Sequence, residues 1–241
     1  MFSLLIGVAL CFTTSLILQF AAGVNVWLSV LAGLVVFTVV YFLLMRHVMK
    51  KVNQVMESAQ RDLQAGRTEK AIKSLEGALK YASWQLYVKE QVHSQIGSVL
   101  YMKRDFSAAF EHLKQGFVRH WIAMAMLGIC YMRRTQSALM NKTFEKAISG
   151  NRKEDMLYCV YAFCLDKIGE RNKAIEVLEK GLKKASNTEI MQENIALLKD
   201  GKKMKMKGYG DMWLQFHLEK PGAMIKHQTK AIQGRRKIVR R

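Results

Sequence analysis

The hydrophobic pattern opens with an apolar run of 45 residues that contains no Lys, Arg, Asp, Glu or His; the first charged residue is Arg46. About 20 helical residues cross the hydrocarbon core of a bilayer. A turn-forming stretch with Gly and Asn, residues 21–26, divides the run into two segments of 19 residues each, 2–20 and 27–45. The pattern therefore predicts a transmembrane helical hairpin over residues 1–45.

Small residues recur at four-residue spacing in both segments, as Ser3, Gly7 and Cys11 in the first and as Ser29 and Gly33 in the second. Small side chains let membrane helices approach each other closely, so we predict that the two segments pack through these residues. Neither segment contains Asp, Glu, Lys, Arg or His, so ion or proton conduction has no candidate carrier.

The charges that follow the second segment predict the orientation. A cleaved signal peptide would need a basic start, a shorter apolar core and a better cleavage site than residues 19–22 provide. Arg46, Lys50 and Lys51 follow the second segment in what we interpret as a basic juxtamembrane linker, residues 46–51, whereas the turn is uncharged. The positive-inside rule then predicts a cytoplasmic C-terminal part. We expect a bacterial inner membrane.

From residue 52 onward the pattern changes to short amphipathic segments that repeat. The small positions of the first helices recur at similar but uneven intervals, of which the first is the longest. They are Ala59, Gly97, Gly128 and Ala162, followed in the second helices by the triads Ala71/Leu75/Ala78, Ala109/Leu113/Gly116, Met140/Phe144/Ala147 and Ala174/Leu178/Gly181. Small residues allow close crossing of paired helices, and stacked pairs share one core.

Two stretches carry a family resemblance. Residues 121–131, with Trp121, Leu127-Gly128 and Tyr131, and residues 169–181 resemble the tetratricopeptide repeat family, which consists of helix-turn-helix units of about 34 residues. No copy has the late proline of that family. The resemblance implies an all-α fold: a solenoid of about four helix pairs over residues 52–200, with residues 187–200 as a closing helix.

The resemblance also implies a groove lined by the first helix of each pair, which would bind a peptide or helix of a partner protein. The implied groove residues are Met56, Gln60, Leu63, Tyr101, Met102, Ile129, Met132, Arg133, Phe163 and Lys167. A register slip of one residue would instead place several of them in the core. The family's clamp for chaperone tails is absent, because Met56/Gln60 and Ser94/Ser98 occupy its positions.

The C-terminal tail, residues 201–241, contains an aromatic segment, 209–220, that is too apolar for a solvated linker. Met212, Leu214, Phe216 and Leu218 alternate with more polar residues, as in an extended segment, although a short helix is equally compatible. We predict that Trp213 and Phe216 dock this segment on the repeat domain, either capping the last helix or lying in the groove.

Charge adds a second possible partner. All 38 basic and 19 acidic residues follow residue 45, and the tail holds twelve basic against two acidic residues. Such an excess attracts anionic headgroups or nucleic acid. The candidate anionic-surface contacts are Arg46, Lys50, Lys51, Arg235, Arg236, Lys237, Arg240 and Arg241.

The sequence contains no recognised catalytic or metal-binding motif. The four cysteines have no metal or redox spacing, and no nucleophile–base, paired-carboxylate or phosphate-loop pattern occurs. The sequence therefore predicts no enzyme, no cofactor and no metal site. It predicts a membrane-anchored, cytoplasm-facing scaffold that binds partner proteins through its groove. The alternative is a tether that holds RNA, ribosomes or anionic lipid through the basic tail.

Overall fold

A computed structural model describes residues 2–20, 23 and 25–219. Eleven α-helices occur within these ranges: α1 Phe2–Phe20, α2 Val26–Gln64, α3 Thr68–Ala78, α4 Val88–Met102, α5 Phe106–Lys114, α6 Trp121–Arg133, α7 Ser137–Gly150, α8 Asp155–Lys167, α9 Arg171–Leu182, α10 Glu189–Lys199 and α11 Asp211–Leu214. Two short 3-10 turns, Leu79–Tyr81 and Lys207–Tyr209, supplement them, and the described ranges contain no strand. The predicted all-α fold, an apolar helix pair followed by a solenoid of paired helices, is confirmed.

The chain divides into two compact units. Among the described residues, the N-terminal unit comprises those up to Val99 together with Lys114–Phe117, and the C-terminal unit comprises Leu100–Leu113 and residues 118–219. In the first unit α2 packs against α1 and α3. In the second unit α6 packs on α7, α8 on α9, and α9 on α10, while α6 and α8 also meet each other.

The two N-terminal helices pack through their small residues, as the four-residue spacing predicts. Gly7 and Gly33 are buried, and a Cβ atom on Gly33 would come within 2.8 Å of the Cys11 carbonyl oxygen. The Ser15 hydroxyl donates a hydrogen bond to the Ser29 carbonyl oxygen at 3.1 Å. Both helices are long and apolar enough to cross a membrane by length and composition.

Helix α2 continues for 39 residues, through the basic stretch 46–51 and into the first repeat. The reason is local: residues 26–64 contain no proline, and Gly66 is the first glycine after Gly33. The apolar helix pair and the first repeat are thus joined by one uninterrupted helix rather than by a flexible linker.

The same helix stop separates the two helices of each repeat. Gly66, Arg104, Thr135 and Gly169 all have positive φ angles, from 57° to 87°. After each of them the next N–H donates to the carbonyl five residues earlier, at 2.8 to 3.0 Å, as in a Schellman motif. The stops recur with the same spacing along the chain as the small positions of the first helices, as the repeat pattern predicts. The longest interval includes the connection between α3 and α4, residues 79–87.

Small residues set the distance between paired helices. A Cβ atom on Gly128 of α6 would overlap the Phe144 ring of α7, whose Cζ atom would lie 2.7 Å away. The Phe144 ring in turn stacks on Tyr161 of α8, with ring centroids 4.7 Å apart. Gly181 of α9 is similarly close to the ring of Tyr158. One glycine therefore controls the packing within a pair and, through Phe144, between pairs.

Replacement of Gly128 by Leu should destabilise the protein by roughly 1–3 kcal/mol, because the added side chain would overlap the buried Phe144 ring. The measurement is urea unfolding of the full chain in detergent, followed by far-ultraviolet circular dichroism. The matched control is Gly77→Leu in α3, where no atom lies within 4 Å of an added Cβ. Equal losses of stability in the two variants would contradict the proposed role of the crossing.

Candidate partner-binding groove

The candidate groove belongs to the C-terminal unit. It is lined by the last turn of α4 with Tyr101 and Met102, by α6, and by α8 with Phe163. Helices α6 and α8 are apolar on nearly every face, so side chains that are not used between helices remain available on the inner surface. Residues 204–218, which we name the C-terminal strap, lie on this surface.

The strap begins at α10, where its main chain is held by one side chain. The Lys205 N–H donates to Asn194 Oδ1 at 2.6 Å, and Asn194 Nδ2 donates to the Lys205 carbonyl at 3.1 Å. Asn194 is fully buried. The side-chain amide of Asn194 therefore binds both the N–H and the carbonyl of Lys205, as a neighbouring strand would. This pair of hydrogen bonds fixes where the strap starts.

The strap next crosses α8 through a half-buried tyrosine, Tyr209. The Tyr209 hydroxyl donates to Asp155 Oδ2 at 2.8 Å and lies 3.3 Å from Cys159 Sγ. Burial raises the pKa of Tyr209 far above its ordinary value, and burial also raises the pKa of Cys159 to about 12. Both groups are therefore neutral near pH 7, and this contact is a hydrogen-bonded packing contact rather than a reactive centre.

Two aromatic side chains of the strap fill the middle of the groove. Trp213 meets the Phe163 ring edge-to-face, with centroids 4.9 Å apart, and Phe216 lies 6.4 Å from Trp121 of α6. Trp213 and Phe216 are buried, whereas their neighbour Met212 is 49% exposed. Trp213 lies in α11 and Phe216 in the turn that follows it, where the Phe216 N–H donates to the Trp213 carbonyl at 3.2 Å. This turn brings both rings to the same side of the strap.

The strap ends at α4 and α6, where side chains bind its main-chain oxygens. The Tyr101 hydroxyl donates to the Phe216 carbonyl at 2.7 Å, and Arg133 Nη2 donates to the His217 carbonyl at 2.8 Å. The His217 ring donates from Nε2 to the Met102 carbonyl at 3.3 Å. Burial lowers the pKa of His217, and the charges of Arg104 and Arg133 lower it further. This ring is therefore neutral near pH 7.

The predicted groove residues fall into three groups. Tyr101, Met102, Arg133 and Phe163 contact the strap. Ile129 is fully buried in the core, Met132 is half-buried, and Lys167 places its ammonium 5.6 Å from the centre of the Phe163 ring. Met56, Gln60 and Leu63 lie on α2, which belongs to the N-terminal unit.

Other predicted contacts lie elsewhere. Arg46, Lys50 and Lys51 lie on α2 in the N-terminal unit, at the end of the apolar run. The tail cations Arg235, Arg236, Lys237, Arg240 and Arg241 lie outside the described residues, as does Lys220 at the end of the aromatic segment.

Sequence reasoning did not find three residues that bind the strap: Trp121, Asp155 and Asn194. Asp155 occupies the first turn of α8, where an acidic residue is expected to interact with the helix dipole. That explanation is sufficient for its position in the sequence, so nothing indicated that it also accepts a hydrogen bond from Tyr209. Asn194 lies in the middle of α10, where asparagine is a poor helix former, and this was the one signal that marked it.

Comparisons with known proteins give structural likeness only. No protein-family model matches the chain, and no curated protein matches it in sequence. Among solved structures, a crystal structure of MamA is 19% identical over 60% of this chain and 80% of its own, with a TM-score of 0.45. A second MamA crystal structure is 16% identical over 80% of this chain and 94% of its own, with a TM-score of 0.45. MamA from Desulfovibrio magneticus RS-1, residues 41 to the end, is 18% identical over 69% and 93%, with a TM-score of 0.47.

Replacement of both aromatic anchors by alanine, Trp213→Ala with Phe216→Ala, should release the strap. Removal of each buried ring should weaken the docking of the strap by about 3–5 kcal/mol. Limited proteolysis of the full chain in detergent should then cut near residues 204–218 at protease concentrations that leave the wild type intact. Met212→Ala, at an exposed position of the same turn, is the matched control and should digest like the wild type. An unchanged digestion pattern in the double variant would reject the docked strap.

Proposed function

We propose that this protein is a membrane-anchored scaffold that binds partner proteins through the groove of its C-terminal unit. The observation that supports the proposal is the strap, because it is a peptide segment bound by that groove. Three side chains, Asn194, Tyr101 and Arg133, bind main-chain groups of the strap rather than its side chains. Such contacts accept any peptide of suitable shape.

Selectivity in the proposed groove comes from the aromatic contacts. Phe163 and Trp121 receive two rings that are three residues apart along one helical turn. Deep aromatic anchors surrounded by less critical contacts are typical of peptide-binding hot spots. The partner that fits is therefore a segment with two aromatic side chains at that spacing, presented on a short helix.

In this proposal the strap competes with the partner. A short tether gives an intramolecular ligand an effective concentration in the millimolar range. A partner at about 1 μM must therefore bind roughly a thousandfold more tightly than the strap in order to displace it, which corresponds to about 4 kcal/mol. A membrane-bound partner meets this condition more easily, because confinement to the same surface raises its local concentration.

The anchoring part of the proposal is supported by the N-terminal helices. Residues 2–45 carry no charge, and α1 and α2 are long enough to cross a bilayer. Arg46, Lys50 and Lys51 follow at the end of the apolar run. We infer from the positive-inside rule that the repeats face the cytoplasm, and we propose a bacterial inner membrane as the membrane that holds the helices.

Release of the strap and removal of groove contacts should have opposite effects on the amount of partner protein that is recovered. Affinity capture from detergent-solubilised membranes should recover more partner with Trp213→Ala/Phe216→Ala, because the strap no longer competes. It should recover less with Phe163→Ala/Arg133→Ala, which removes one aromatic contact and one main-chain donor of the groove. Met212→Ala should match the wild type. Equal recovery from all four proteins would contradict a groove-bound partner, and recovery that ribonuclease abolishes would favour the nucleic-acid tether.

A spanning hairpin predicts resistance to alkaline carbonate. The protein should remain in the membrane pellet after the wash, because the apolar segments have no favourable aqueous state. External protease should not cleave the C-terminal unit in intact cells, and it should do so once the inner membrane is opened. Release by carbonate, or cleavage in intact cells, would contradict the anchored and cytoplasmic arrangement.

A further inference from the structure

The connection between α3 and α4, residues 79–87, joins the first repeat to the second and is longer than the connections between the later repeats. It ends in a loop, residues 82–87, that is mostly exposed. This loop lies between Gly66 and Arg104, the two successive helix stops that are farthest apart along the chain. A longer connection is not needed to join two successive repeats, since shorter ones join α5 to α6, α7 to α8 and α9 to α10. The extra length therefore has some other use.

The loop is attached to the beginning of α1. The Phe2 N–H donates to the Ser83 carbonyl at 2.9 Å, and the Ser3 hydroxyl donates to the Trp84 carbonyl. The Phe2 and Trp84 rings meet edge-to-face, with centroids 5.7 Å apart. The loop is therefore level with the first turn of the first apolar helix.

A second contact places the loop at the matching level of α2. Gln85 Nε2 donates to the Tyr41 hydroxyl at 3.3 Å. Tyr41 precedes Arg46, the first charged residue, by five positions, or about 7–8 Å along the helix. The loop thus lies where the apolar surface of both helices ends. In a spanning hairpin that level is the boundary between acyl chains and headgroups.

The loop exposes apolar side chains at that level. Trp84, Leu86 and Tyr87 are 38%, 37% and 57% exposed. Tyr87 has a φ angle of +65°, a conformation that a bulky residue rarely adopts. Trp and Tyr are also the residues that are enriched at membrane interfaces.

We propose that residues 82–87 form an interfacial membrane anchor, in which Trp84, Leu86 and Tyr87 enter the headgroup region of the bilayer that α1 and α2 cross. This inference rests on the proposed spanning of the membrane by these helices. Two cations, Lys51 and Lys80, line one surface depression of about 510 Å³ between α2 and α3. They give the neighbouring surface a charge that complements anionic headgroups. The N-terminal unit is thereby fastened to the bilayer at three points instead of two.

The test is the depth of Trp84 in a bilayer. A variant that retains only Trp84, with Trp27, Trp121 and Trp213 replaced by Phe, is reconstituted as the full chain. The vesicles contain phosphatidylcholine and phosphatidylglycerol, with bromine placed either high or low on the acyl chains. We expect bromolipid to reduce Trp84 fluorescence, and shallow bromine to reduce it more than deep bromine. Trp84 fluorescence that neither bromolipid changes would overturn the anchor.

Two further single-tryptophan variants separate the anchor from the hairpin. A Trp27-only chain reports the opposite end of the apolar part of α2, where Trp27 is exposed, and it should be quenched if the hairpin spans the bilayer. A Trp213-only chain carries a buried ring and should remain unquenched. Quenched Trp27 with unquenched Trp84 rejects the loop anchor alone. Unquenched Trp27 rejects the spanning hairpin, and the anchor with it.

A charge in the loop provides a second test that leaves the hairpin intact. Leu86→Glu in the Trp84-only chain should reduce the bromolipid quenching, because a carboxylate resists entry into the interface. Leu139→Glu, at an exposed position of α7, is the matched control and should leave the quenching unchanged. Equal quenching in the two variants would contradict the insertion of Leu86 into the interface.

Discussion

The structure depends on one packing constraint: a helix pair of this kind has more apolar surface than it can bury by itself. Gly128 lets α6 and α7 approach until Phe144 fills the gap, and Phe144 then stacks on Tyr161 of the next pair. Each pair therefore needs a neighbour. Within the C-terminal unit the remaining inner surface is covered by the strap, whose Met206 and Phe216 belong to the same hydrophobic cluster as the helices.

The strap relates the fold to the proposed function. A surface that one peptide segment covers through main-chain hydrogen bonds and two aromatic rings is also a surface that another peptide can cover. Burial raises the pKa of Tyr101, so its hydroxyl stays neutral, and burial lowers the pKa of His217, so its ring is uncharged near pH 7. Competition at this groove would therefore be governed by affinity and local concentration, and not by protonation at neutral pH.

The N-terminal unit joins an apolar helix pair to a repeat without a flexible joint. Helix α2 passes from Val26 to Gln64, and the loop of residues 82–87 returns to the beginning of α1. The continuous helix and the contact between the loop and α1 together restrain how the first repeat is oriented on the apolar helix pair. The proposed interfacial loop would thus hold the unit in one orientation against the bilayer.

The sequence by itself determined the helices, their pairing and the position of their close crossings. Charge-free segments, the recurrence of the repeat pattern along the chain, and small residues such as Gly128 are local patterns, and burial imposes such patterns wherever a helix packs. Only the tertiary structure decided what lies in the groove and which loop touches α1. Tyr101 binds a carbonyl 115 residues away, and Ser3 binds one 81 residues away. The hydrophobic pattern of the sequence cannot predict such contacts, because they depend on which surfaces the folded chain brings together. Asp155 resembled an ordinary first-turn acidic residue, and Asn194 was marked only as a poor helix former, until the strap supplied their partners.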